Sequence, residues 1–221
     1  MKKNIFVALD FSNFDKALDV ANSVKDYAVG LKITNELMAI CGKEGLKKFA
    51  DFGLEIFLDL KTLDVPNTVR KTVASIASLK TVKYLTVHTS GGYEMLKAAQ
   101  EAASHLELLG VTVLTSQSAS EDQVKLLASL AIKSKLGGVI ASAQEYGSVR
   151  SLSKDLKIFC PGIRGVEDKK HDQIRKIPGL FPKVIESYNI VKGYSPKAHG
   201  VVNLTCTLNN YDVVCSLYDN L

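Results

Sequence analysis

Short apolar runs alternating with helix-spaced stretches constrain this chain more than any other feature. The runs fall at residues 5–9, 29–33, 56–60, 84–88, 109–114, 138–141, 156–160 and 189–191. Between them, apolar residues recur at helical spacing over 14–24, 35–49, 66–79, 95–105, 121–130 and 143–152, with a shorter stretch at 181–186. In the first of these, Ala17, Leu18, Ala21 and Val24 share one side. Pro66 suits the first turn of a helix, where its missing N–H costs nothing. Strands alternating with helices imply βαβ units and a parallel sheet. Parallel strands are covered on both faces, which accounts for unbroken apolar runs in place of strict alternation. Eight such units in 221 residues predict a compact single-domain (β/α)8 barrel over residues 1–197. A doubly wound open sheet is the alternative fold. No GxGxxG follows the first run, which argues against a dinucleotide-binding unit.

Composition narrows the function. Lys plus Arg outnumber Asp plus Glu by 28 to 23, and the two signs are interspersed, so a nucleic-acid stripe is not expected. The apolar stretch before Asp10 is too short for a signal peptide or a membrane span. Cys41, Cys160, Cys206 and Cys215 form no CxxC pair, so no zinc knuckle or thioredoxin motif is present. They read as small apolar fillers in a reducing, cytoplasmic protein. Residues 198–221 differ from the rest: they contain no Lys or Arg and only Asp212 and Asp219 as acids. A helix closing a barrel would carry charge on its outer face, so this tail is set apart as a segment of undefined structure.

The polar residues fall at the strand ends. Asp10, Lys32, Asp59 with Lys61, His88 with Thr89, and Ser116 lie at or just past the C-terminal ends of successive runs. In a barrel those ends meet on one rim, where active sites are built. Asp59 and Lys61 are two apart, which places both on one side of a regular strand. With Asp64 and Lys32 they make an array of two positive and two negative groups, whose burial is tolerable because each charge has an opposite neighbour. The same array also fits a purely stabilising ion network. His88 suits a structural hydrogen bond at the rim as well as a substrate contact. His105 and His171 read as surface residues.

The run Asp59-Leu60-Lys61-Thr62-Leu63-Asp64-Val65-Pro66-Asn67-Thr68-Val69 resembles the signature of the orotidine 5′-phosphate decarboxylase family. Its Asp-x-Lys-x-x-Asp core is shared with a wider superfamily of sugar-phosphate decarboxylases and aldolases, and Pro66-Asn67-Thr68 points to the orotidylate branch. Further matches follow in order: Ala8-Leu9-Asp10, Gly30-Leu31-Lys32, Thr86 to Gly92, Gly110 to Ser116, Pro161-Gly162-Ile163-Arg164 and Asp172-Gln173. The resemblance implies conversion of orotidine 5′-phosphate to UMP and carbon dioxide without metal or organic cofactor. Lys61 would stabilise charge at C6 and supply the proton, with Asp59 and Asp64 holding it. Lys32 would orient Asp59 and touch the ribose, Asp10 would contact ribose or base, and Ser116 the pyrimidine. Pro161 and Gln173 would line the substrate site, with Gln173 on the phosphate. A homodimer is implied, with Asp64 and Thr68 reaching into the neighbouring subunit's site.

The departures cluster at the phosphate grip. The family ends its eighth strand in Gly-Arg, and Gly193-Tyr194 stands there instead. A phenol offers one hydrogen bond where guanidinium offers a charged fork. Leu63 replaces a common histidine, and Glu186-Ser187-Tyr188 replaces a Gly-Ala-Asp approach. Two other functions therefore remain open: a metal-dependent sugar-phosphate decarboxylase or aldolase, and a catalytically impaired nucleotide-binding relative.

Overall fold

The computed structural model describes residues 5–26, 28–163 and 204–208. Seven strands run parallel and neighbour one another in chain order: β1 (Ile5–Leu9), β2 (Gly30–Thr34), β3 (Glu55–Thr62), β4 (Val82–His88), β5 (Glu107–Val111), β6 (Gly138–Ile140) and β7 (Lys157–Ile163). The helices between them are α1 (Phe14–Val24), α2 (Asn35–Ala50), α3 (Pro66–Ala77), α4 (Gly92–Ala102), α5 (Glu121–Lys133) and α6 (Tyr146–Arg150). The result is a parallel α/β fold whose sheet is curled, as the alternating pattern predicts. Side-chain caps start α1 at Asn13 and α5 at Ser120, each accepting a backbone N–H of the first turn.

The gap between β1 and β7 is filled from the tail. Strand β8 (Leu204–Leu208) pairs antiparallel with both, Phe6 facing Thr205 and Phe159 facing Thr207. The parallel eighth strand expected at residues 189–191 and the helix expected at 181–186 lie outside the described residues. The segment set apart as undefined thus contains a strand of the ring.

The strands sort their side chains by period two. Val7, Leu31, Ile56, Leu58, Leu85, Leu108, Val139 and Ile158 join the helices in one large core. The opposite face packs Phe6, Phe57, Tyr84, Leu109 and Phe159 into a second cluster inside the curl. Its rings meet edge to face, Phe6 to Tyr84 at 5.5 Å and Tyr84 to Phe159 at 5.3 Å between centroids. Such pairs add about 0.5–1.5 kcal/mol each beyond their buried area. Gly30 makes the cluster possible, because a Cβ there would overlap the Phe6 ring and the Glu55 carbonyl. At the same end, Lys83 pairs with Glu55 and Lys157 with Glu107.

Several boundaries differ from expectation for local reasons. β5 spans Glu107–Val111 and not residues 109–114, because β6 is three residues long and its pairing runs out at Ile140. Thr112 then turns its amide and hydroxyl onto the Ile140 carbonyl. The helix expected over 35–49 is broken at Gly42, whose φ of 56° is left-handed. The turn expected at Pro161-Gly162 is instead a bulge within β7, where one extra residue sits between Cys160 and Ile163. Proline lacks a ladder donor, so a bulge is where it fits.

Candidate active site

One strand step above the aromatic cluster, the inward residues become polar. Phe57 is followed on its face by Asp59, Tyr84 by Thr86, and Gly30 by Lys32. Asp59 is the hub. Its Oδ2 accepts from Lys61 Nζ at 2.8 Å and Lys32 Nζ at 3.2 Å, and its Oδ1 accepts from the Thr86 hydroxyl at 3.0 Å. Lys32 Nζ also lies 3.9 Å from Asp10 Oδ1. The Lys32 and Asp59 side chains are 10% and 11% exposed, while that of Lys61 is 36% exposed, open to the rim. Burial pushes the Asp59 carboxyl up, but the charges of Lys32 and Lys61 and their hydrogen bonds outweigh it. Asp59 is therefore held below the usual carboxylate range and stays ionised.

Asp59 and Lys61 do not converge by simple alternation. Leu58 faces Leu85 and Thr62 faces Val87, so three β3 residues stand opposite Thr86 alone. Asp59-Leu60-Lys61 is a bulge, and Lys61 sits inside it at φ 49°, a left-handed conformation that β-carbon residues rarely adopt. The bulge is held by side chains in place of the ladder. The Lys61 amide donates to Thr86 Oγ1 at 2.8 Å, and the Leu60 carbonyl accepts from Asn35 Nδ2 at 3.5 Å.

Not every residue of the expected array joins it. Asp64 is exposed in the β3–α3 loop, where its Oδ1 accepts from the Val65 amide at 2.6 Å. Among the described residues it makes no ion pair with Lys61 of its own chain, and the second carboxylate near Lys32 is Asp10. The physical reason is the loop: the β3 strand ends at Thr62, and Asp64 has already turned toward α3. Thr68 is exposed in the first turn of α3. Ser116 is no strand terminus but an exposed residue on a turn well past Val111, since β5 stops early. Pro161 is half-buried in the β7 bulge. Gln173, Gly193, Tyr194 and Arg164 lie outside the described residues.

His88 ends β4, half-buried at the rim. Burial and the Lys61 charge hold its imidazole below the usual range, with Asp59 opposing in part. Thr86, fully buried, was not singled out from sequence. A hydroxyl midway along an apolar strand, on the inward face two residues before a polar strand end, was the available signal.

Residues 3–193 match the model of the orotidine 5′-phosphate decarboxylase / HUMPS family. The chain belongs to that family. A family relative named orotidine 5′-phosphate decarboxylase, from Wolbachia pipientis of Culex pipiens, is 41% identical over 183 residues, covering 75% of this chain and 80% of its own. Another of that name, from Methylacidiphilum infernorum, is 36% identical over 222 residues, covering 92% and 96%. The crystal structure of orotidine 5′-phosphate decarboxylase from Lactobacillus acidophilus superposes with a TM-score of 0.65 at 33% identity, covering 74% of this chain and 82% of that one. The Asp59-to-Thr68 segment that carries the resemblance to the orotidine 5′-phosphate decarboxylase family is the segment that builds the bulge and its loop. No helix among the described residues is long and apolar enough to cross a membrane.

Proposed function

We propose that the chain decarboxylates orotidine 5′-phosphate to UMP and carbon dioxide, the closing reaction of pyrimidine nucleotide synthesis. The observation that carries this reading is the Lys32–Asp59–Lys61 array, buried at one end and open at the rim in a chain of this family. When the C6 carboxylate leaves as carbon dioxide, its bonding pair stays on C6. The pyrimidine cannot readily delocalise that pair, so a fixed ammonium beside C6 lowers the barrier. Lys61 then transfers one proton to C6, giving UMP and a neutral amine that solvent reprotonates. Asp59 pairs with the Lys61 ammonium and aims it, and Lys32 keeps Asp59 in place. The aromatic cluster beneath the array is a dry floor, which strengthens these interactions. Asp10 and Ser116 contact ribose and base in this reading, with Pro161 lining the site. Gln173, Gly193 and Tyr194 hold the phosphate, whose binding energy helps order the site.

The finer assembly belongs to the same proposal. Residues 1–197 carry the seven parallel strands of one decarboxylase domain of the (β/α)8 type, and the tail, 198–221, supplies the strand that closes it. The enzyme is a cytoplasmic homodimer. Leu63 and Val65 flank Asp64 and are 55% and 63% exposed, an apolar pair at the loop that would cross to the partner. Asp64 and Thr68, both exposed, complete the neighbouring site. The test is an ultraviolet assay of the purified chain with orotidine 5′-phosphate, with and without EDTA. Metal-independent UMP formation that Lys61→Ala abolishes is expected. EDTA-sensitive turnover of a ketose phosphate would refute it in favour of the aldolase branch, and a folded chain without turnover would favour an impaired relative.

A further inference from the structure

We propose that Thr86 is a positioning residue for the Asp59–Lys61 pair, acting through both its lone pair and its proton. This inference rests on the decarboxylase reading. The geometry is specific. Thr86 is the single β4 residue opposite the three-residue bulge, and its side chain is fully buried. Its oxygen accepts the Lys61 amide at 2.8 Å, and its only hydroxyl proton goes to Asp59 Oδ1 at 3.0 Å. One hydroxyl thus fixes two things at once. It supplies the acceptor that the Lys61 amide lost when the bulge broke the ladder, which keeps Lys61 at φ 49°. It also sets the plane of the Asp59 carboxylate, leaving Oδ2 directed at both lysine ammoniums. Without it, the half-buried Lys61 amide loses its acceptor on β4 and the backbone gains by relaxing out of the left-handed region, carrying Nζ away from C6. Thr86 touches no reacting atom in this account. Its effect reaches the reaction through where Lys61 Nζ stands.

The role differs from a packing role in what it moves. Substrate binding is spread over ribose, base and phosphate contacts, whereas Nζ placement acts on the chemical step. In the purified full-length chain, Thr86→Val should lower kcat about 100-fold with KM changed by less than about threefold, the penalty expected of a reacting group displaced by roughly 1 Å. Thr86→Ser, which keeps both hydrogen bonds, should restore kcat to within about fivefold of the parent chain. Thr86→Ala removes the same hydroxyl without pressing a methyl against Asp59, and serves if the valine chain does not fold. Deletion variants with parental kcat, a loss confined to KM, or a serine variant as slow as the valine variant would each overturn the proposal. An absence of turnover in the parent chain would instead overturn the decarboxylase reading. The crystal structure of the valine or alanine variant then decides the positioning role on its own. Lys61 out of the left-handed region, with Nζ withdrawn from Asp59, supports it, and an unmoved Lys61 overturns it.

Discussion

Replacing Asp59 by asparagine removes one charge from a carboxylate that two ammoniums share. The amide keeps the size of the side chain, so the loss is electrostatic. At 3.2 Å, and with the effective dielectric of about 20 that suits such sites, the attraction between Lys32 and Asp59 is about 5 kcal/mol. Part of that offsets the cost of taking both groups out of water, and breaking such a pair by losing one partner costs about 3 kcal/mol. Lys61 is more than a third exposed, so its share is screened and is not counted. For a chain of this length, about 3 kcal/mol corresponds to a fall in Tm of about 6–12 °C. The sharper test is the double variant. With Asp59 neutral, Lys32 is a buried cation lacking its main partner, so adding Lys32→Met to Asp59→Asn should recover at least about 1 kcal/mol. Urea denaturation of the four chains at pH 7 measures this. Losses that add within about 0.5 kcal/mol would refute the reasoning, because they would show that the two residues share no energy.

Three further outcomes follow from the same structure. Gly30→Ala should destabilise the chain by about 2–3 kcal/mol in thermal denaturation, since its new methyl collides with the Phe6 ring and backbone at Glu55. His88 has a lowered folded pKa, so between its ordinary value near 6.5 and that lower value the unfolded chain binds the extra proton. Stability should therefore fall as pH drops below about 6.5, and His88→Gln should lose less stability between pH 7 and pH 5 than the parent chain. Leu63→Asp combined with Val65→Asp should convert the proposed dimer to monomer in sedimentation and lower turnover, while leaving Tm of the monomer close to that of the parent subunit.

The parallel strands were readable from sequence because each is apolar on both faces, and the charges at their ends stood out against that background. The aromatic floor was not legible in this way, because Phe6, Phe57 and Tyr84 sit in runs that are apolar on both faces and period two does not stand out there. What the pattern hid was irregularity. The Asp59-x-Lys61 spacing reads as one face of a regular strand, and nothing in the residue types marks a bulge or a left-handed lysine. Those arise because β3 has more residues than β4 between two shared pairings, a property of two strands together. Thr86 was hidden for the same reason: its task exists only opposite that bulge. Asp64 lies on the surface of its own chain because chain direction changes between Thr62 and Pro66, so its place in the array depends on the neighbouring subunit that the resemblance implies. Likewise β5 ends where its neighbour ends, which no window on β5 itself reveals.

The strand that fills the seam between β1 and β7 begins 41 residues after β7 ends, at Leu204. During synthesis the seven parallel strands therefore leave the ribosome well before their last partner. For that interval β1 and β7 lack the strand that pairs with both of them among the described residues, and an uncovered strand edge is the kind of surface that recruits a neighbouring nascent chain. At translation speeds of about 5–20 residues per second, the delay is roughly 2–8 s, long beside hydrophobic collapse. Polysome crowding and chaperone supply thus bear on the yield of this protein in a way that the stability of its finished form does not reveal.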